Sequence, residues 1–533
     1  MDGLPLQSVT VAAIALLGGV YLLRSRPVSR ARRPPGPPGL PLLGNVLQVP
    51  VKHLATYFRG LCEKYVVIQL SFLTEFMQPL FLIGDITLAK EVLEKRAVKF
   101  SSRPTITYFH YHVDPAQLHW VFSKQTESHF IARKLTTGVM AAVRAGETEP
   151  LQQFEALLNM THLLDDRGKN WFHHMDRVSA SMVLSAAFGL HCPTGQEPDL
   201  KEIVACLTEA VKLVTPSASI INVLPFLDMI PGPMPWRKRA RTYRKREDAL
   251  YEKLITRAVS GEASGMNTWA AAFAREDKPE GDQRRLVRQV VTTATSMHTF
   301  ILACILYPEW IPRVQREIDA IVGEDRLPSF KDRPRLPYIE AIVRETLRWR
   351  PAFCFGVPHQ STADDVVEYQ GTKYFIPKGS IIFAVTWAIE HNQERFKNHD
   401  MFQPERFLDN TNTLKSGYET TCPGIPFAER SLWINIAMML WTFNIRKSDE
   451  LDPKTGLPFK YDASDSAFSG EASHKIASAC SSGADFVLQF SNAPFEFLAV
   501  FEPRSVHRAE VVRQEWEECE KDLNVLLPRH KEQ

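Results

Sequence analysis

Residues 338–353 read YIEAIVRETLRWRPAF, and this stretch predicts a helix that ends just before Pro351, because proline has no amide hydrogen to donate to a helical hydrogen bond. Glu345 and Arg348 lie three residues apart in it, so their side chains are expected to meet on one face of the helix. Such a pair on a helix surface contributes only about 0.2–0.5 kcal/mol. Whether this pair is exposed or buried depends on the sequence that follows.

A second arginine lies in the stretch DMFQPERFLDN at residues 400–410, which is expected to form a meandering loop. Arg406 stands there between two phenylalanines and follows a proline. One carboxylate has enough lone pairs to accept hydrogen bonds from two guanidinium groups. We therefore predict a buried ion network of Glu345, Arg348 and Arg406.

Cys422 lies in the next distinctive stretch, TTCPGIPFAERSLWINIAMML at residues 420–440. Apolar side chains recur there at every fourth position, namely at Ala428, Leu432, Ile436 and Leu440. This pattern predicts a helix that begins within a few residues of Pro423. The positive end of a helix dipole lowers the pKa of a nearby thiol and so favours the metal-binding thiolate, and Gly424 would leave room for a flat ligand. The alternative is a buried structural cysteine.

The order Glu-x-x-Arg, Pro-Glu-Arg-Phe and Cys-Pro-Gly resembles the cytochrome P-450 superfamily of haem-thiolate monooxygenases, and in particular its membrane-anchored fungal members. Further matching pieces cover nearly the whole chain: PPGPPGLPLLGN at 34–45, FSSRP at 100–104, ILYPEW at 305–310, YFIPKGS at 374–380 and VFEPRS at 500–505. The resemblance implies the cytochrome P-450 fold, mainly α with a small β component, as a single large domain behind an N-terminal membrane anchor.

The resemblance also implies the residues that hold the haem. Cys422 would be the axial thiolate of the haem iron, with Gly424 beside it, and such a ligand favours O–O cleavage. Arg133 and His359 match positions that contact the haem propionates. The ion network predicted above would stabilise the fold behind the haem.

The central helix is matched only in part. Thr292 and Thr293 align with the two threonines of the family's oxygen-binding segment, and they are the implied catalytic residues. Simple helix packing is the alternative for both. Gln289 replaces the glycine of that segment and Val291 replaces its acid, so proton delivery to bound oxygen must follow another route.

The haem-binding loop also departs from the family pattern. Lys415, Tyr418 and Thr420 stand where the family has phenylalanine, glycine and arginine. On the early helix, His129 stands where the family has a tryptophan, four residues before Arg133. The loop thus lacks its usual arginine and its aromatic side chain, which makes incomplete haem loading an expectation.

The implied reaction is insertion of one oxygen atom from O2 into a small apolar substrate, with electrons from NADPH through NADPH–cytochrome P-450 reductase. The departures leave two alternatives open. One is a haem-thiolate isomerase or peroxide-using enzyme, which needs no oxygen-splitting acid. The other is a non-catalytic relic with a damaged haem site.

Residues 9–23, VTVAAIALLGGVYLL, are uncharged and are followed by five arginines. Because the charges follow the apolar run, a membrane anchor is favoured over a cleaved signal peptide. Basic flanks prefer the cytosolic side. We therefore predict an anchor at 1–33, a proline-rich hinge at 34–45 and a haem-thiolate domain at 46–533, as a single-pass protein of the endoplasmic reticulum membrane with a cytosolic catalytic domain.

The densest positive run is MPWRKRARTYRKRED at residues 234–248, which follows the apolar, proline-broken stretch LPFLDMIPGPMPW at 224–236. It is either the solvated face of a helix or, with that stretch, a surface that lies on a membrane. The net charge of +2 gives no reason to expect a nucleic-acid partner.

Overall fold

The computed structural model describes most of the chain, namely residues 34–40, 44, 45, 48–50, 53–65, 67–71, 79–117, 119, 121–214, 219–223, 225–275, 293–417, 425–451, 456–458, 461, 462, 468, 469, 493, 494 and 496–527. The predicted anchor at 1–33 lies outside these residues and stays a prediction. No helix in the described part combines the length and the apolar character that crossing a membrane requires.

Helices dominate the structure. In chain order they are α1 (Leu54–Lys64), α2 (Ile86–Lys90), α3 (Ala97–Phe100), α4 (Glu127–Arg144), α5 (Glu149–Asp165), α6 (Trp171–Phe188), α7 (Pro198–Leu213), α8 (Ile220–Val223), α9 (Pro235–Val259), α10 (Trp269–Arg275), α11 (Thr293–Leu306), α12 (Ile311–Val322), α13 (Pro337–Trp349), α14 (Thr386–Glu390), α15 (Ile425–Thr442), α16 (Val506–Glu518) and α17 (Leu523–Leu526).

The strands are short. They are β1 (Val67–Ser71), β2 (Pro79–Ile83), β3 (His359–Gln360), β4 (Asp365–Tyr369), β5 (Thr372–Ile376), β6 (Ile381–Ala384), β7 (Phe443–Lys447), β8 (Phe468–Ser469), β9 (Ala493–Pro494) and β10 (Ala499–Pro503). The largest sheet has the order β1-β2-β6-β3, in which only β2 and β6 run parallel. The pairs β4–β5, β7–β10 and β8–β9 are antiparallel. The mainly α architecture with a small β component agrees with the sequence prediction.

The main hydrophobic core forms where α5, α6, α11, α13 and α15 pack together. Helix α15 is buried along nearly its whole length after its first turn, as expected for a helix that is apolar on all sides. Pro351 follows the end of α13, so the chain leaves the core there and enters the loops around β3. The end of α13, the start of α15 and strand β3 therefore frame the candidate site.

Candidate functional site

The predicted network forms at the end of α13. Glu345 is fully buried, and its Oε2 and Oε1 accept hydrogen bonds from Arg348 Nε at 2.6 Å and Nη2 at 2.9 Å. Arg406 Nε donates to Glu345 Oε1 at 3.1 Å. The Arg348 side chain is 2% exposed and that of Arg406 is 11% exposed. The pair seen in the sequence is thus part of a buried network, and the short segment Pro404–Phe407, predicted as loop, is a 3₁₀ turn that carries Arg406 into it.

Backbone carbonyl groups share the excess positive charge of this network. Arg348 donates to the carbonyl oxygens of Glu390 and His399, both at 2.9 Å. Arg406 donates to the carbonyl oxygen of Lys397 at 2.8 Å, and burial lowers the pKa of its guanidinium. The network therefore fixes the loop before Pro404–Phe407 onto the end of α13, because each arginine spans the carboxylate and the loop backbone.

A second cluster of positive side chains surrounds β3. Gln360 N donates to Ser102 O at 2.7 Å, and this bridge brings Arg103 beside His359. Arg103 Nη1 donates to the carbonyl oxygens of Pro358 at 2.8 Å and Val357 at 3.3 Å. Its Nε is buried and has no hydrogen-bond partner among the residues that the structure describes. Backbone carbonyl groups therefore hold Nη1 of Arg103, while Nε is left for another partner.

Electrostatics in this cluster favours an anion. Burial, and then repulsion from Arg133, lowers the pKa of Arg103 to about 10. Burial, and then repulsion from Arg103, lowers the pKa of His359 to about 3, although its Nδ1 donates to Phe100 O at 2.8 Å. Within the described residues, no carboxylate forms an ion pair with Arg103 or Arg133. Two arginines without a counter-ion and an unused buried donor fit the paired carboxylates of the haem propionates.

Of Arg133 and His129 on helix α4, only Arg133 contributes to this cluster. Arg133 is exposed on α4, and its charge acts on both Arg103 and His359. His129, one turn earlier, is buried, and its Nδ1 is 3.1 Å from Ser123 Oγ. His129 thus contacts the segment that precedes α4, so nothing in this contact makes it a substitute for the family's tryptophan.

The structure describes the predicted oxygen-binding segment only from its last residue, Thr293, onward. Helix α11 begins at Thr293, while Thr292 and the side chain of Thr293 lie outside the described residues. Farther along α11, Thr299 is fully buried, and its Oγ1 has no hydrogen-bond partner in the described part of the chain. Burial lowers the pKa of the neighbouring His298 to about 4. The sequence of α11 contains no carboxylate, so the absence of an acid at Val291 is not compensated on this helix.

Cys422 and Gly424 lie outside the described residues, as do Tyr418 and Thr420. Helix α15 begins at Ile425, close to the start that the sequence predicts. Lys415, which stands at the family's phenylalanine position, is the nearest altered residue that the structure describes. Its Nζ donates to Arg406 O at 3.0 Å, so Lys415 reinforces the loop that carries the ion network.

A buried row of polar side chains holds α15 against α5. Gln152 Nε2 on α5 donates to Ser431 Oγ at 2.8 Å and to Phe427 O at 3.1 Å. Two turns farther along α5, Asn159 Nδ2 donates to Asn435 Oδ1 at 3.2 Å. These bonds fix the rotation of α15 about its axis and its position along that axis, and hence the place where the helix begins at Ile425.

Sequence reasoning missed Arg103 as a site residue. The motif FSSRP carries part of the resemblance, but nothing in it indicates that Arg103 lies half-buried without a carboxylate partner among the described residues. That position depends on the pairing of Ser102 with Gln360, a contact between distant parts of the chain that local patterns do not encode.

The sequence of the chain is similar to the sequences of known proteins. The family model described as Cytochrome P-450 matches residues 34–461. Cytochrome P-450 monooxygenase peniB of Penicillium patulum is 31% identical over 465 residues, covering 84% of this chain and 85% of that protein. Cytochrome P-450 monooxygenase 58 of Postia placenta is 31% identical over 481 residues, covering 84% and 89%. Cytochrome P-450 monooxygenase verL of Clonostachys rogersoniana is 29% identical over 539 residues, covering 94% and 92%. The chain therefore belongs to the cytochrome P-450 family and is a monooxygenase of that type with haem as its cofactor.

Proposed function

We propose that this monooxygenase inserts one oxygen atom from O2 into a small apolar substrate and receives electrons from NADPH through NADPH–cytochrome P-450 reductase. The cluster of Arg103, Arg133 and His359 is the observation that supports this most directly. Arg103 is half-buried with a buried Nε, and an arginine in that position without a counter-ion among the described residues is costly unless an anion binds there. Haem, when bound, supplies the chemistry of oxygen activation, while the protein supplies binding, orientation and electrostatics.

The residues proposed to hold haem come from separate parts of the chain. Cys422 would supply the thiolate that binds the haem iron, because it precedes α15 and the positive end of that helix dipole favours its thiolate form. Gly424 would leave space for the ring. Arg103, Arg133 and His359 would face the propionates. Since Thr420 carries no charge, the two arginines take over the neutralisation that an arginine in the haem loop would provide, and His359 contributes as a neutral side chain.

Proton delivery is proposed to depend on Thr292 and Thr293. Val291 offers no proton, and a positioned acid or base typically accelerates a step by about 10²–10⁴-fold. We therefore expect part of the reducing equivalents to appear as hydrogen peroxide. The missing acid also makes peroxide-driven chemistry, or isomerisation, the second candidate function.

Attachment to the cytosolic face of the endoplasmic reticulum is proposed through residues 1–33 and a second surface. The side chains of Ile220, Phe226 and Met229 are exposed beside α9, on which Lys238 and Arg241 are also exposed. An apolar loop next to a basic helix suits the boundary between acyl chains and headgroups. We refer to these five residues as the apolar–basic surface.

The candidate functions are separated by supplying the oxidant in different ways. Haem-loaded protein is incubated with ethylbenzene, either with NADPH, reductase and isotopically labelled O2 or with hydrogen peroxide alone. Labelled product in the first reaction supports the proposal. Product only with peroxide supports the second candidate. Protein that takes up haem but gives no product in either reaction, over a panel of small apolar probes, supports the relic.

A further inference from the structure

We propose that His391, His399 and Asp400 form a binding site for a divalent transition-metal ion, with zinc as the metal that fits best. Among the described residues, one ligand atom of each of these side chains lies within 4.8 Å of the ligand atoms of the other two. Two imidazoles and one carboxylate form a ligand set that suits zinc, with a fourth position left for a water molecule. The inference uses none of the residues proposed to hold haem.

The ion network at the end of α13 positions these ligands. His391 directly follows α14, and His399 and Asp400 lie farther along the loop after it. Arg348 joins the two segments, because it donates to the carbonyl oxygens of Glu390 and His399, both at 2.9 Å. The ring centroids of His391 and His399 lie 5.6 Å apart, with an angle of 70° between the ring planes. Contacts of the protein itself therefore bring the ligands together.

The contacts of His391 leave one ring nitrogen for a metal. Its Nδ1 is 2.9 Å from Trp387 O, and because a carbonyl group can only accept, Nδ1 carries the proton and Nε2 has the lone pair. A hydrogen bond from the other ring nitrogen to a carbonyl is the usual support of a histidine that binds a metal. Burial lowers the pKa of His391 well below its usual value, so the ring is in the neutral form that a metal needs.

His399 offers a buried nitrogen that makes no hydrogen bond. Its side chain is 6% exposed, and its Nδ1 has no hydrogen-bond partner among the residues that the structure describes. Asp400 Oδ1 lies 3.0 Å from this nitrogen. Neighbouring ligand atoms of a tetrahedral zinc site are about 3.3 Å apart, given bond lengths of about 2.0 Å. These two atoms thus already have nearly the spacing of two zinc ligands, and the exposed carboxylate leaves a path for the ion.

Arg350 competes with a metal for His391. Its Nη1 is 3.1 Å from His391 Nε2, so it donates to the lone pair that a metal would use. The guanidinium also lies over the rings of Trp349 and Trp387, at 5.1 and 4.9 Å from their centroids. These two cation–π contacts hold Arg350 when a metal takes its place at Nε2. Because of this competition, we expect an affinity for zinc in the micromolar range.

Arg59 on α1 competes for His399 in a different way. Its Nη2 is 3.0 Å from His399 Nε2, and this donor keeps the proton of the ring on Nδ1. A metal at Nδ1 requires the proton on Nε2, where it would face the guanidinium. Arg59 has a second partner, because its Nε donates to Glu63 Oε1 at 2.8 Å. Removal of the Arg59 charge should therefore favour the metal-binding tautomer and raise the affinity for zinc.

Zinc binding to the full-length protein tests the site. Competition with a chromogenic chelator gives the zinc affinity, and elemental analysis after dialysis gives the number of ions bound. Both are measured for the wild type, His399→Asn, Asp400→Asn and Arg59→Gln. His174→Asn is the matched control, because His174 Nε2 is 2.8 Å from Asp166 Oδ2 in another partly buried histidine–carboxylate pair. Thermal unfolding is followed with added zinc and with added magnesium, which prefers oxygen ligands.

We expect the zinc affinity to fall by more than about tenfold in His399→Asn and in Asp400→Asn, because even the outer-shell partners of metal ligands contribute about 10–100-fold. The control His174→Asn should match the wild type, and Arg59→Gln should bind zinc more tightly. The melting temperature of the wild type should rise with zinc and not with magnesium, since a ligand that binds the folded state stabilises it.

Three results would overturn the proposal: a wild type that binds no zinc, equal zinc affinity in the wild type and in both ligand variants, or weaker binding in Arg59→Gln. The Asp400 side chain is exposed, so Asp400→Asn keeps the comparison decisive if His399→Asn does not fold. None of these measurements depends on haem. A protein that takes up no haem would refute the proposed function, and the zinc data would still decide on this site.

Discussion

Arg103 places a positive charge where the described residues offer no carboxylate. The carbonyl groups of Val357 and Pro358 share part of that charge, and Arg133 opposes it. Burying an unpaired charge is costly, so a protein retains such a residue at a site that binds an anion. The electrostatics of the Arg103 side chain therefore favours a ligand that carries carboxylates.

Arg103→Gln tests that argument. We expect haem affinity to fall by at least about tenfold, because one charge-assisted hydrogen bond to a propionate is lost. The apoprotein should keep its melting temperature or gain slightly, since repulsion from Arg133 is removed. Haem titration of the apoprotein and thermal unfolding measure the two effects. Arg96→Gln is the control, because Arg96 pairs with Glu91 and Asp365 instead. Equal haem affinity in Arg103→Gln and wild type would remove Arg103 from the site.

Arg348→Ala tests the ion network. Its removal leaves the buried carboxylate of Glu345 with Arg406 as its one charged partner among the described residues and with the Gln403 backbone N–H, at an expected cost of about 3–5 kcal/mol. We therefore expect no soluble folded protein, whereas Arg239→Ala, which breaks an exposed pair with Glu209, should behave as wild type. Solubility and circular dichroism melting measure the outcome. A soluble Arg348→Ala protein with a normal melting temperature would show that the network does not stabilise the fold.

At the residue scale, contacts could be predicted for residues that the order of the sequence motifs picks out. Glu345, Arg348 and Arg406 meet as their spacing and types predict. Arg103 could not be identified in this way, since its environment is created by strand β3 and by charges on α4. The structure does not describe Cys422, Gly424 or Thr292, so their roles stay predictions.

At the scale of elements, the polar row between α5 and α15 holds the helix that follows Cys422. Asn159→Leu alone should destabilise the protein by about 1–3 kcal/mol, because Asn435 then loses a buried partner. The double variant Asn159→Leu with Asn435→Leu should recover much of that loss, since no polar group is left unpaired. Denaturant unfolding of the wild type, of each single variant and of the double variant measures the coupling free energy between Asn159 and Asn435. Additive effects would mean that the two helices are not coupled through this bond.

Long periodic elements were predictable and local departures were not. Helix α13 ends at Trp349, before Pro351, and α15 begins at Ile425, within a few residues of Pro423, as the sequence predicts. In contrast, nothing in the sequence indicates the π-helical turn at Glu91–Lys95 that separates α2 from α3. Such turns depend on tertiary packing, and their sequences do not differ in periodicity from ordinary helix.

At the scale of the whole molecule, residues 1–33 and the apolar–basic surface set where the protein resides. Deletion of residues 1–33 should move most of the protein from the membrane to the soluble fraction, because the uncharged run is the main apolar attachment. Adding Phe226→Ser and Met229→Ser should release the remainder. Fractionation in high salt and carbonate measures how much of each variant stays with the membrane. A truncated protein that stays wholly in the membrane fraction would contradict the anchor prediction.

The most direct measurement is the reduced, carbon-monoxide-bound absorption spectrum of wild type and Cys422→Ser, because it reports haem and thiolate ligation together. We predict the haem-thiolate band in the wild type, below full occupancy because Lys415, Tyr418 and Thr420 replace the usual loop residues. The band should vanish in Cys422→Ser and persist when any of the other seven cysteines is replaced. A wild type that binds no haem under any condition, or a Cys422→Ser protein that keeps the band, would contradict the assignment.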